Sequence, residues 1–279
     1  MTLAVFLAAL ASAMLHALWS AATRLRADPG NALASVVVMA GVSAIPVGLY
    51  AGLPPVAAFK WLIGGAILNM LTMRTLMATY RRTPFAVSYP IVRGMAPLSV
   101  TLISYVLLGD RMGPFALVGV GLISAGVLML AESARRGEKF DRTGLLLALA
   151  SGFFNACFII TDVQGVRTSG DPLPYGFAMC IVNSVTMLAM LAAEGRRVTG
   201  LMKGNMVFGL LAGALSTGSY LLVLYGFVHG PTGAVSALRE TSVFFGLLLA
   251  AFMLRERVGL LRWVAAGLAM LGAVAIRLS

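Results

Sequence analysis

Two copies of one sequence pattern decide the fold. The first is VRGMAPLSVTLISYVLLGDRMGPFALVGVGLISAGVLML at residues 92–130, and the second is LRETSVFFGLLLAAFMLRERVGLLRWVAAGLAMLGAVAI at residues 238–276. A constant offset of 146 residues aligns them without a gap and pairs Arg93 with Arg239. The same register matches charged and small positions further along: Asp110 with Glu256, Arg111 with Arg257, Gly121 with Gly267, and Gly126 with Gly272. A repeat of this length indicates that one structural unit is used twice.

The beginnings of the two halves also match. LASAMLHALW from Leu10 resembles LASGFFNACF from Leu149, and this match pairs His16 with Asn155. If each half crosses a membrane five times, an odd number, the second half must start from the opposite side. The sequence therefore predicts an inverted repeat, an arrangement in which secondary transporters place their substrate near the bilayer midplane between the repeats.

The composition is that of a membrane protein. Hydrophobic residues make up 59% of the 279 residues and charged residues only 11%, whereas soluble domains carry about 25% charged residues. An apolar helix of about 20 residues spans a bilayer, so we predict an all-α integral membrane protein with ten transmembrane helices, five in a first repeat (1–137) and five in a second (138–279). The predicted segments lie near 3–23, 32–51, 58–79, 84–108, 113–133, 143–163, 173–193, 204–227, 231–254 and 258–277.

The net charge of +11 follows the membrane topology rather than a nucleic-acid site. The odd-numbered loops collect fourteen Lys and Arg residues, whereas the even-numbered loops and the C-terminus together hold four. Cytoplasmic loops carry such an excess of positive charge. We therefore expect both termini on the outer face of the membrane and no interaction with nucleic acid.

Several motifs resemble the EamA family of the drug/metabolite transporter superfamily. They are HALW in the first segment, YPIVRGMAPL leading into LLGDR, and ALRETSV leading into LRER. The resemblance covers nearly the whole chain. It implies ten helices in two inverted five-helix repeats, a central cavity, and transport without ATP across the bacterial inner (cytoplasmic) membrane. It does not specify a substrate.

A charge at the bilayer centre normally faces a cavity or a partner, and our candidates for such charges are Arg74, Arg93, Arg239 and Glu240. Arg93 and Arg239 are near mid-membrane in matching positions, and guanidinium groups bind carboxylates and phosphates in a bidentate manner. They are our first candidates for substrate binding, although they could instead hold the repeats together. Glu240 is expected to pair with Arg93 or Arg74, or else to carry a coupling proton.

Uncharged polar residues complete the candidate substrate site. His16 and Asn155 give the two halves a polar group at equivalent depth, while Tyr89 and Tyr220 lie deep in the fourth and eighth segments. Each could equally be a hydrogen-bonded packing residue. The charged GDR motif at 109–111 is interpreted as a simple helix terminus, with a gate contact as the alternative.

The predicted function is secondary active transport of small polar metabolites by alternating access. Two arginines favour an anionic or zwitterionic cargo, such as an amino acid, an organic acid or a phosphonate. A multidrug or organic-cation exporter is the alternative, although the first segment lacks the membrane-embedded glutamate of small multidrug transporters. A membrane enzyme acting on lipid-linked substrates is a remote alternative, because we count only one acid, Glu240, and one histidine at bilayer depth. We expect no cofactor and no metal; the expected partners are the substrate, the bilayer and, in one alternative, a proton.

Overall fold

The computed structural model describes every residue except 81, 83–84, 136–141, 196–205 and 254–258, and each regular element in the described part is helical. A single 3-10 turn, Val56–Ala58, precedes the third helix. The helices are α1 (Leu3–Arg24), α2 (Pro29–Ala51), α3 (Phe59–Tyr80), α4 (Phe85–Ile103), α5 (Pro114–Arg135), α6 (Arg142–Ser169), α7 (Pro172–Ala193), α8 (Met206–His229), α9 (Thr232–Glu240), α10 (Ser242–Met253) and α11 (Leu260–Leu278).

The helices form a multi-pass membrane protein. Within the described residues, eight helices are long and apolar enough to cross a bilayer, and α5 contributes a shorter apolar stretch, Pro114–Leu130. Ten helical segments are present when α9 and α10 are counted together, as the sequence predicts. The sixth is longer than predicted, because α6 continues to Ser169 rather than ending at residue 163.

The ninth predicted segment, 231–254, is not one continuous helix. It breaks at Thr241, between α9 and α10. The backbone N–H of Thr241 donates to Leu238 at 3.1 Å, three residues back, and its hydroxyl donates to the same carbonyl at 2.6 Å. A threonine hydroxyl competes in this way with regular helical hydrogen bonding. The break lies directly after Arg239 and Glu240.

The fourth segment is helical through both of its prolines. Pro90 and Pro97 lie inside α4, and the irregular turn comes later, as a π-helical stretch at Ser104–Leu108. This stretch ends at Gly109, whose φ of 67° lies in the left-handed region that glycine adopts most readily. The chain turns there into the loop that carries Asp110.

The last helix of each half packs against the other in an antiparallel arrangement through small residues. A Cβ at Gly119 would lie 2.5 Å from the carbonyl oxygen of Gly272, and a Cβ at Gly126 would lie 2.7 Å from that of Ala265. The 146-residue offset converts one contact into the other, because it pairs Gly126 with Gly272 and Gly119 with Ala265. Close backbone approach at small residues is a typical means of packing membrane helices.

A second pair of helix crossings follows the other sequence match, which aligns the beginnings of the two halves with an offset of 139 residues. On α1 and α8, the hydroxyls of Ser12 and Ser219 each donate to the other's backbone carbonyl, at 2.6 and 2.8 Å. On α6 and α3, Ser151 donates to the carbonyl of Thr72 at 3.3 Å. The sequence match pairs Ser12 with Ser151. Both termini lie at one end of the bundle, where Arg277 donates to the carbonyl of Met1 at 3.3 Å.

Candidate functional site

An ion pair joins α4, α9 and α1 in the middle of the bundle. Nη1 of Arg93 donates to both carboxylate oxygens of Glu240, at 3.0 and 3.2 Å, and the Glu240 side chain is 3% exposed. Nη2 of Arg93 lies 2.5 Å from Nε2 of His16. Because a guanidinium has only donors, Nε2 of His16 must accept and the ring proton must be on Nδ1. His16 also packs edge-on against Trp19.

Arg239, the counterpart of Arg93, lies in the same region but is not paired. It is half-buried, and its buried Nε has no hydrogen-bond partner among the described residues. It lies within electrostatic range of Arg93, Glu240 and Asp162. The sequence explains the difference, because the offset that matches the two arginines places Gly94 opposite Glu240. The first half therefore has no carboxylate to give to Arg239.

A second buried acid, Asp162 on α6, was missed by the sequence analysis. Its side chain accepts hydrogen bonds from the hydroxyls of Tyr175 at 3.1 Å and Tyr220 at 2.8 Å. Asp162 is 2% exposed and Tyr175 is fully buried. Gly165 makes this possible, since a Cβ there would overlap the ring and hydroxyl of Tyr175. The expectation of a single acid at bilayer depth is therefore wrong.

The remaining predicted site residues lie in different surroundings. Tyr220 is half-buried and donates to Asp162, and Asn155 is half-buried on α6. Arg74 is exposed on α3, and of the two partners predicted for Glu240 the structure places Arg93 against it. The side chain of Tyr89 lies outside the described part of the structure.

One end of the bundle is held by a charged cluster around Asp110. Two guanidinium nitrogens of Arg167 donate to its two carboxylate oxygens at 3.0 and 3.1 Å. The backbone and the hydroxyl of Thr232 donate to it as well. Burial alone would raise the pKa of Asp110, but the hydrogen bonds from Arg167 and Thr232 outweigh it and hold this pKa below its usual value. The GDR motif is thus part of a contact between three helices; its counterpart, Glu256, lies outside the described residues.

The geometry is that of a bundle with polar groups at its centre and a charged contact at one end. The profile of the EamA-like transporter family matches residues 142–278. The second half of the chain is therefore an EamA-like transporter segment. This confirms the family resemblance, and the matched range contains the ALRETSV motif.

Two further similarities place this EamA-like protein among known ones. A stretch of 77 residues is 38% identical to a multidrug transporter of Pseudomonas aeruginosa and covers 26% of this chain and 64% of that relative. A solved crystal structure superimposes with a TM-score of 0.74 at 18% identity, covering 98% of this chain and 95% of that one. At such low identity the second similarity shows the fold alone, and it extends over both halves.

Proposed function

We propose that this EamA-like protein is a secondary active transporter of small anionic or zwitterionic metabolites in the bacterial cytoplasmic membrane. The half-buried guanidinium of Arg239, whose buried Nε has no hydrogen-bond partner among the described residues, carries this proposal. A cation at this depth is costly unless it has a partner, and a carboxylate, phosphonate or phosphate supplies one with bidentate geometry. Arg93, held by Glu240 and His16, borders the same site, with Asn155, Tyr89 and Tyr220 as further candidates for cargo contact.

The proposed mechanism is alternating access by two inverted repeats, 1–137 and 138–279. The exchange of the Gly119 and Gly126 contacts under the 146-residue offset supports such a two-fold relation. The Asp110–Arg167 contact joins the ends of three helices, so it is our candidate for a gate that closes one side of the cargo site. Motion would open it while the glycine contacts between α5 and α11 stay packed.

Both termini, with the Asp110 cluster, are proposed to face outward, because the odd-numbered loops of the sequence carry fourteen basic residues and such loops are expected on the cytoplasmic side. Ser279 and Ala193 are exposed at opposite ends of the bundle. In intact cells an impermeant thiol reagent should label Ser279→Cys and not Ala193→Cys. Both native cysteines, Cys157 and Cys180, are replaced first. Labelling of Ala193→Cys alone would reverse the proposed orientation.

The cargo class is tested with the purified protein by ligand-induced thermal stabilisation, because a ligand that binds the folded form raises its melting temperature. The panel contains methylphosphonate, inorganic phosphate, short mono- and dicarboxylates, neutral amino acids and the lipophilic cation tetraphenylphosphonium. Stabilisation by an anion or amino acid, followed by its uptake into proteoliposomes, supports the proposal. Stabilisation by none of these anions and amino acids would contradict it.

Multidrug or organic-cation export is the second candidate, and the similarity to the multidrug transporter of Pseudomonas aeruginosa favours it. A cation would bind between Asp162 and Glu240, the two buried carboxylates of the described bundle. Tetraphenylphosphonium should then stabilise the protein, and Asp162→Asn should remove that effect. The same substitution would leave binding of an anion at Arg239 in place.

A further inference from the structure

Asp162 is a buried acid that is not among the residues of the proposed cargo site. It is 2% exposed, yet within the described part of the chain its carboxylate accepts hydrogen bonds only from two uncharged phenols, on α7 and α8. Glu240 differs, because the guanidinium of Arg93 contacts both of its oxygens. A buried carboxylate without an ion-pair partner is costly, and a bound proton removes that cost.

The groups that face Asp162 are few. Tyr175 and Cys180 approach from α7, Tyr220 approaches from α8, and Arg239 acts on it from α9. Helix α3 faces Thr161, the residue before Asp162, with Gly64, which carries no charge. Arg239 is therefore the one cation that acts on Asp162 within the described part of the chain, and it does so without a hydrogen bond.

We propose that Asp162 is a proton-binding site coupled to cargo, which takes up a proton when an anion occupies Arg239. With Arg239 unoccupied, its positive charge stabilises the Asp162 carboxylate. An anion on the guanidinium cancels that charge, and the carboxylate then binds a proton from water to become a neutral carboxylic acid. One negative charge and one positive charge enter the site together, so a monovalent anion and a proton are carried as an electroneutral pair.

This inference rests on the proposed function, because the anion is the proposed cargo. It assigns the coupling proton to Asp162 and not to Glu240, which was the candidate from the sequence. Glu240 is paired with Arg93, and protonation of Glu240 would leave the buried positive charge of Arg93 without a counter-charge. Tyr220, which is half-buried, donates its hydroxyl to the carboxylate of Asp162 at 2.8 Å.

The test is infrared spectroscopy of the full chain in liposomes, where a protonated carboxyl gives a C=O band distinct from that of a carboxylate. On acidification the wild type should gain a band that Asp162→Asn lacks and Glu240→Gln retains. Methylphosphonate, which has no C=O group, should move the appearance of this band to higher pH in the wild type and not in Arg239→Met. Loss of the band in Glu240→Gln, or its retention in Asp162→Asn, would overturn the assignment.

Tyr220→Phe provides a second measurement if Asp162→Asn does not fold. It removes a donor that favours the carboxylate, so the band should appear at a higher pH than in the wild type. An unchanged titration would count against Asp162. A further outcome is that the Asp162 band titrates at the same pH with and without methylphosphonate, while that anion still raises the melting temperature. In that case the coupling fails and the proposed function stands. If no anion stabilises the protein, the proposed function fails instead.

Discussion

Arg93 and Arg239 occupy matching positions in the two halves of the chain, but their surroundings differ. Arg93 is fixed between Glu240 and His16, whereas Arg239 has a buried nitrogen without a partner in the described structure. One substitution in the repeat accounts for this, since Gly94 stands where the second half has Glu240. A duplicated scaffold can thus provide one structural arginine and one arginine available to a ligand.

The surrounding scaffold is more alike in the two halves than the charges are. The contacts of Gly119 with Gly272 and of Gly126 with Ala265 exchange under the repeat offset, and serine-to-carbonyl bonds recur at Ser12 and Ser151. Differences in function are therefore expected where side chains depart from the repeat. Glu240 opposite Gly94 is one such departure, and Asp162 on α6 opposite Thr23 is another.

The largest effect is expected from breaking the Arg93–Glu240 pair. Glu240→Gln leaves Arg93 buried without a counter-charge, which should lower the free energy of unfolding by about 3 to 5 kcal/mol. Unfolding of the purified protein in detergent by denaturant measures it. Arg93→Gln should cost a similar amount, and the double variant should cost less than the sum of the two. Additive losses would show that the two side chains do not stabilise each other.

The shared scaffold is tested by adding a methyl group at matched glycines. Gly126→Ala and Gly272→Ala each place a Cβ within 2.7 Å of the facing carbonyl oxygen, so each should cost about 1 to 3 kcal/mol. Gly121 and Gly267, which also match, have open space around the added Cβ. Alanine there should leave the unfolding free energy nearly unchanged. Unequal costs at Gly126 and Gly272 would argue against a two-fold relation of α5 and α11.

A smaller effect is expected at the charged contact on the outer end. Asp110→Asn should lower the unfolding free energy by about 1 to 2 kcal/mol near neutral pH, because it weakens charged hydrogen bonds to Arg167 and Thr232. The folded-state pKa of Asp110 lies below its ordinary 3.8. The stabilisation is therefore complete above the unfolded-state pKa and is lost as the pH falls through the folded-state pKa. If the difference in unfolding free energy between the wild type and Asp110→Asn is the same at pH 2 as near neutral pH, this account is contradicted.

The sequence predicted the all-helical, multi-pass membrane architecture and its ten helical segments, because the signals for them can be read directly along the chain. Apolar segments, charge clusters and the 146-residue repeat are visible without coordinates, and so are charges such as Arg93 and Glu240 inside apolar runs. Asp162 was missed because the sixth segment was expected to end at residue 163, which placed this acid at the membrane surface. The helix instead continues to Ser169, and the apolar residues Val163 and Val166 were the signal for it.

Other features depend on tertiary contacts that a single sequence does not reveal. The break at Thr241 follows a polar run, RETS, which could have indicated it, but the apolar pattern on both sides favoured one helix. The contact of Asp110 with Arg167 joins residues 57 positions apart. One lies in a loop and the other in the last turn of α6, and only the packed bundle brings them together. The unpaired state of Arg239 likewise follows from where Glu240 points, toward α4.

The central claim, that Arg239 rather than Arg93 binds the anion, is tested by one measurement with two matched variants. Arg239→Met removes the unpaired guanidinium, and Arg93→Met with Glu240→Gln removes the ion pair together, so that no buried charge is left alone. The melting temperature of each is measured with and without the anion that stabilises the wild type most. We predict that Arg239→Met loses the stabilisation and that the double variant keeps it. Retained stabilisation in Arg239→Met, or its loss in the double variant alone, would contradict the account.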